Sequence, residues 1–288
     1  MSRPEAVRAG PEAPDAAGPL EDLEIALLLE AVHQRQGYDF RGYSLSALRR
    51  RIRRRMGAEG VSTVSALQDR VLHQPAAMER LVLGLSVTTT SMFRDPAFFR
   101  RLRESVVPLL RTYPVIRIWH AGCSSGEEVY SLAILLREEG LYGRSRIYAT
   151  DLHPWLLRQA SAGTVELEAV RRWTSCYEEA GGRARLADYY TVQGAWAVFD
   201  PTLRRNVMFA QHNLAGDASF NEFHLILCRN VMMYFGAPLQ RRTQALLDGS
   251  LVRFGFLGLG RRETLSPGAA PGGYTLLDPS EKLYRKVA

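Results

Sequence analysis

From Leu20 to about Leu85 apolar residues recur at spacings of three and four, interrupted at Gly37, at Gly57 to Gly60 and at Gln74-Pro75. That pattern predicts helices and no strand. Ser86 to Pro96 is polar and β-branched and ends in Arg94-Asp95-Pro96, and Phe98 to Leu110 is helical again, so residues 86–111 read as a linker and a connecting helix. Beyond it the period changes. Short apolar runs at Val115 to Trp119, Ile147 to Thr150, Val207 to Ala210 and Phe223 to Cys228 alternate with helical patterns, which predicts an α/β domain over 112–288 with a parallel sheet covered by helices. Pro238 to Leu251 continues as a helix and Phe256 to Leu259 as a strand, and Tyr274 to Leu277 with Leu283 to Val287 suits a closing antiparallel pair. Residues 1–19 are Pro, Ala and Gly with scattered charges and no period, the signature of a disordered tail. Arg171 to Gly194 yields no secure pattern.

At 288 residues and 46% hydrophobic content, the chain can bury one large core, or one core plus a small helical domain. No apolar stretch reaches the length of a membrane span and no leader pattern precedes a cleavage site, so a cytoplasmic location without membrane insertion is expected. Three cysteines without a Cys-x-x-Cys pair and six unclustered histidines argue against disulfides and structural zinc. The net charge of +7 is concentrated, with six arginines between Arg49 and Arg55. On a helix, Leu45, Leu48, Ile52 and Met56 share one face and the arginines take the remainder. A run of this kind is a solvated basic face or a docking surface for an acidic partner.

The most chemically informative stretch is Ile118-Trp119-His120-Ala121-Gly122-Cys123-Ser124-Ser125-Gly126-Glu127-Glu128. A buried strand enters a small-residue turn, and an acidic pair opens the next helix. Gly122 and Gly126 let backbone approach a ligand closely. The spacing is not Gly-x-Gly-x-x-Gly, and two carboxylates at a helix N-terminus would repel phosphate, so a cationic or hydroxyl-rich ligand is indicated. Asp151 ends the second strand about 30 positions later, where a carboxylate can accept both hydroxyls of a ribose or can cap the following helix. Asn213 follows the third strand, where its side chain can pair with an adenine edge or close a turn. Cys228 to Phe235 closes the fourth strand, at the edge where ligands bind in open α/β sheets.

These residues carry a resemblance. Val87 to Pro96, the Ala121 to Ser131 loop, Ala149-Thr150-Asp151, Asn213-Leu214 and the Cys228 to Phe235 block are similar to the motifs of CheR-type chemotaxis receptor methyltransferases. The resemblance runs from Leu20 to the C-terminus. It implies a Rossmann-like S-adenosylmethionine-dependent methyltransferase sheet behind a small N-terminal all-α domain (20–85), and transfer of methyl groups to receptor glutamates, with S-adenosylhomocysteine as product. It assigns Thr90, Arg94, Glu128, Asp151, Asn213, Leu214, Arg229 and Asn230 to the cofactor, together with Thr88 and Gly122, and turns Arg94 and Tyr234 towards the reacting groups. Glu128 would pair the ammonium of the methionine moiety, Arg94 its carboxylate, and Asp151 the ribose. Tyr234 has a plainer reading as an aromatic at the edge of the core.

A glutamate side chain is ionised near neutral pH and attacks without a general base, so positioning dominates and neither a metal nor a covalent enzyme intermediate is expected. The resemblance also favours docking of the basic helix, through Arg49, Arg50, Arg53 and Arg54, on the acidic cytoplasmic helical domain of a chemoreceptor. It leans towards a monomer, and nucleic acid ranks last among partners. Thr88 stands where the family often has Asn. Gly260-Arg261-Arg262-Glu263 replaces Gly-His-Ser-Glu, and Arg253-Phe254-Gly255 replaces Pro-Gly-Gly; both departures are expected to alter only turns and surface charge. The short Gln193-Gly194-Ala195 loop suggests a reduced β-subdomain over 166–200 that needs no tethering receptor peptide. Two rivals keep the cofactor: a catalytically silent regulatory module, and a methyltransferase acting on a non-receptor signalling protein.

Overall fold

The computed structural model describes residues 18–86, 89–266 and 273–287. The expected tail up to Ala17, and Thr88 among the expected cofactor residues, lie outside the described residues. The chain divides into two units, one of residues up to Arg41 with Arg49–Leu85, the other of Gly42–Leu48 with Ser86 onward.

The first unit is helical: α1 (Pro19–Gln36), α2 (Leu45–Glu59, whose first turn sides with the second unit), α3 (Val64–His73) and α4 (Pro75–Leu85). Pro19, read from sequence as tail, is the first residue of α1, where its missing N–H costs nothing. Gly37 ends that helix at φ 75°, donating its N–H to the His33 carbonyl. Thr63 caps α3 by accepting the Ala66 N–H at 3.1 Å. Ile25, Leu28, Ile52, Leu67 and Leu81 are fully buried between the helices. On α2, Arg49 and Arg53 are not open to a partner in the way the pattern suggested. Arg49 pairs with Asp22, and Arg53 grips Glu21 with two bonds of 2.8 Å. Arg50 and Arg54 are exposed and form no ion pair among the described residues.

In the second unit a connecting helix runs through α5 (Pro96–Arg101), a π turn at Leu102–Val106 and α6 (Val107–Leu110). Pro108 has no N–H for the Glu104 carbonyl, which accounts for the widened turn before it. The sheet follows, built from β1 (Ile116–Ala121), β2 (Ser145–Asp151), β6 (Val207–Gln211), β7 (Phe223–Cys228), β8 (Leu251–Leu259), β9 (Tyr274–Asp278) and β10 (Leu283–Lys286). Their order is β6-β2-β1-β7-β8-β10-β9. The first five are parallel, and β10 runs antiparallel to both β8 and β9, the closing pair anticipated from sequence. Every residue of β7 and all but one of β1 are buried, as strands covered on both faces require. Helices α7 (Glu127–Glu138), α8 (Pro154–Ala162) and α10 (Ala237–Gly249) belong to the connections.

Between α8 and β6 lies a second sheet, β3 (Thr164–Glu166), β5 (Trp196–Phe199) and β4 (Tyr190–Gln193), with α9 (Leu167–Glu179) inside the insertion. Gly194 at φ 61° and Ala195 make the two-residue turn that joins β4 to β5. In the large sheet the strand order reverses at β1, with β2 and β6 on one side and β7 and β8 on the other. The crevice beyond the C-terminal ends of these strands is therefore the position for a ligand.

Candidate functional site

All the described cofactor and catalytic residues of the sequence reading lie in the second unit, at or beyond those strand ends or on the loop before α5. The Thr150 carbonyl, level with the end of β1, accepts the N–H groups of both Gly122 and Cys123 at 2.8 Å and turns the chain back. Gly122 has φ 78°, and a Cβ there would lie 2.6 Å from Val231 Cγ2, so conformation and space both demand glycine. One residue further on, the Ser124 N–H donates to Asp151 Oδ2 at 2.8 Å, while the His153 N–H donates to Asp151 Oδ1 at 3.1 Å. Asp151 thus stiffens the turn and the start of α8 together. Each carboxylate oxygen keeps a second lone pair for a hydroxyl. Asn213 also makes its turn, its Oδ1 accepting the Ala215 N–H at 2.9 Å, and Leu214 is buried behind it.

Glu128, in the first turn of α7, is buried and already partnered. Its Oε2 accepts from Arg229 Nη1 at 2.8 Å, and Oε1 lies 3.3 Å from His120 Nε2 without making a hydrogen bond. Burial alone would raise this carboxyl, but the guanidinium of Arg229 and the His120 ring hold it at about 2. Arg229 was expected to line the cofactor site, and its side chain instead turns inward. It is 1% exposed, sits 4.1 Å over the Phe98 ring, and bonds Asp95 at 2.7 Å and the Arg94 carbonyl at 3.2 Å as well as Glu128. Its part is to position Glu128 and the loop before α5. Arg94 forms no ion pair with Asp95, whose oxygens face Arg229 at 2.7 Å and Arg261 at 3.7 Å. Arg94 is half-buried, and its one side-chain bond among the described residues is to the Thr89 carbonyl at 3.3 Å. Thr90 is half-buried nearby in the chain.

Backbone strain gathers here. Phe93 (φ 48°), Asp95 (φ 56°), Ser124 (φ 52°) and Asn230 (φ 60°) are four of six described non-glycine residues in the left-handed region, and all four lie on the site's loops. Each loop is held by a bond. Ser131 Oγ accepts the Phe93 N–H at 2.9 Å and donates to the Glu127 carbonyl at 2.8 Å. Past β7, a 3-10 turn at Met232–Tyr234 carries the half-buried Tyr234, whose carbonyl accepts the Ser44 N–H at 2.9 Å. Glu263, the last residue of the Gly260-Arg261-Arg262-Glu263 segment and given no role of its own from sequence, is 4% exposed and reaches back to this loop. Ser131, Val231 and Glu263 were all missed from sequence. Of these, only the acidic residue three places after Gly260 at a strand end offered a signal.

Among the described residues Asn230 Oδ1 is a buried acceptor that meets no donor, and Glu128 Oε1 has the His120 ring at 3.3 Å but no hydrogen bond. Buried acceptors of this kind suit a ligand that brings its own N–H or O–H groups. No group of three or more His, Cys, Asp or Glu among the described residues could hold a metal ion. No described helix is long and apolar enough to cross a membrane.

The sheet order, with one antiparallel strand inserted near its far edge, and the glycine turn and carboxylate at the first two strand ends are those of a Rossmann-like methyltransferase. Comparison with known families narrows this. Residues 88–273 match the CheR methyltransferase SAM-binding domain and residues 23–86 the CheR methyltransferase all-alpha domain, so the chain belongs to the CheR methyltransferase family. It is 46% identical over 265 residues to Cher3 of Pseudomonas putida, covering 92% of this chain and 97% of that one. Chemotaxis protein methyltransferase 1 of Pseudomonas aeruginosa is 32% identical over 229 residues, 75% of this chain and 81% of that one. Among solved structures, the N-methyltransferase NodS of Bradyrhizobium japonicum, in complex with S-adenosylhomocysteine, aligns with 56% of this chain and 61% of its own at 14% identity and a TM-score of 0.31.

Proposed function

We propose that this S-adenosylmethionine-dependent enzyme methylates glutamate side chains in the cytoplasmic helical domain of a chemoreceptor, giving methyl esters. The observation that carries the reading is the state of Arg94. The neighbouring carboxylate, Asp95, is taken by Arg229, so the Arg94 guanidinium stands on a strained loop with only a carbonyl for a partner among the described residues. A cation in that state attracts carboxylates, both that of a methionine moiety and that of an incoming glutamate.

The open atoms of Glu128 and Asn230 fit the cofactor's amino and hydroxyl donors, and Asp151 and Asn213 would hold its nucleoside end. When bound, S-adenosylmethionine supplies an electrophilic methyl group on sulfonium sulfur. The protein's share is then orientation and exclusion of water: Arg94 steers the carboxylate and Tyr234 orients it without taking its charge. The identity of the P. aeruginosa relative as a chemotaxis protein methyltransferase supports the receptor as substrate.

The test is transfer of tritiated methyl to a receptor cytoplasmic fragment. Label released as methanol by mild base, and lost when the receptor's glutamates are replaced by alanine, is the expected result; R94A should lower the rate by about 100-fold, ~2.7 kcal/mol in the transition state. Cofactor binding without base-labile label would point to a regulatory module. Because the β4–β5 connection is only Gly194-Ala195, we propose further that no receptor-tail peptide is required. Micromolar binding of such a peptide in calorimetry would contradict that.

A further inference from the structure

Glu263 is four residues past the end of β8, far in sequence from any motif that names a ligand. Its carboxylate nevertheless collects four backbone N–H groups. Oε1 accepts from Val231 at 2.9 Å and Met233 at 3.1 Å, and Oε2 from Asn230 at 2.9 Å and Gly260 at 2.6 Å. Three of these donors are on the loop that runs from Arg229 to Tyr234, and the Met233 N–H is within its 3-10 turn. Asn230 holds φ 60° while it donates, a conformation that costs free energy unless its surroundings hold it. Gly260 completes the arrangement. A Cβ there would lie 2.7 Å from Glu263 Oε2 and 2.8 Å from both the backbone nitrogen and Nδ2 of Asn230. The close approach of the two loops thus needs glycine at 260 and an acceptor of four donors at 263.

We infer that Glu263 is a positioning residue for methyl transfer, fixing the backbone that aims Asn230 at the cofactor and Tyr234 at the acceptor carboxylate. The chemistry selects a carboxylate over its isosteres. Two ionised oxygens offer about four lone-pair sites and no hydrogen, so all four N–H groups are met. Glutamine of the same shape would turn an NH2 against two of them. Aspartate keeps the charge but is one methylene too short to span both loops. The inference rests on the methyltransferase reading of Arg94 and Tyr234 and adds a residue that touches neither ligand.

The experiment compares wild type, E263Q and E263D at a temperature well below each melting point, with labelled S-adenosylmethionine and receptor fragment, alongside S-adenosylhomocysteine binding by calorimetry. The expected result is a fall of tenfold or more in kcat at saturating cofactor for folded E263Q, with E263D intermediate or equally impaired. Folded E263Q with wild-type kcat overturns the inference. Hydrogen exchange on the wild type provides the second arm: the amides of Asn230, Val231 and Met233 should exchange slowly, and exchange at the rate of an open loop overturns it even if the variants do not fold. A wild type that binds S-adenosylhomocysteine but labels no receptor counts against the proposed substrate instead, and the exchange arm then judges Glu263 alone.

Discussion

Arg229 is a cation with its side chain 1% exposed, and two carboxylates, Glu128 and Asp95, offset its charge. Removing one partner of a buried pair leaves the other uncompensated, at ~3–5 kcal/mol, so E128Q should be less stable than wild type at neutral pH by an amount of that order. The pH dependence has a definite sign. Glu128 is lowered from 4.5 to about 2 in the folded chain, so its contribution is complete above the unfolded value and is lost as pH falls from 4.5 towards 2. Urea unfolding between pH 6 and pH 3 should show the gap between wild type and E128Q narrowing; a constant gap would mean the pair is not what holds the carboxyl down. The sequence made much of this site legible, because strand-end positions follow from the apolar runs: Gly122, Asp151 and Asn230 fall at or just past those ends, and Glu128 opens the helix that follows the first. It did not reveal which way Arg229 points. That depends on Asp95 and Glu128 arriving from elsewhere in the chain, which no local spacing records.

At the level of elements, the turn after β1 and the loop after β7 constrain one another through Gly122 and Val231. G122A should destabilise the protein by ~2–4 kcal/mol, from the left-handed backbone together with overpacking. Adding V231A should recover only the packing part, which denaturant unfolding of the two single variants and the double variant can separate; full recovery would mean that φ at residue 122 carries no strain. Strand limits were legible only where the apolar runs coincide with pairing. β2 begins at Ser145, earlier than the pattern suggested, because backbone pairing with β1 continues through Arg146 without apolar alternation, and β8 begins at Leu251, which pairs with Phe223 ahead of a register shift that leaves Arg253-Phe254 between the paired positions. Helix α9 lay in the stretch with no secure pattern. Its buried Leu167, Val170 and Tyr177 are too sparse among charges to announce a helix. What anchors it is tertiary: the hydroxyls of Tyr177 and, from the segment before β4, Tyr189 donate to Glu138 at 2.5 and 2.9 Å.

For the molecule as a whole, the basic character of α2 reduces, among the described residues, to two exposed arginines without an ion pair, Arg50 and Arg54. Because Arg49 and Arg53 hold α1, reversing them should cost stability, whereas R50E/R54E should leave both melting and S-adenosylhomocysteine binding unchanged. The double variant should slow receptor methylation about tenfold at low ionic strength, with the difference fading as salt is raised. An equal rate at low salt would remove α2 from the docking surface. The α/β order of the large sheet was readable outside the insertion between α8 and β6, since each parallel strand needs a covering helix and the period changes accordingly. The bonds from Arg229 to Glu128 and Asp95 span 101 and 134 positions of sequence. A ribosome therefore releases the acidic half of that cluster well before its arginine has been translated. Until then Glu128 has no guanidinium to offset its burial, and the nascent chain should bind no S-adenosylhomocysteine until residues beyond β7 have left the exit tunnel.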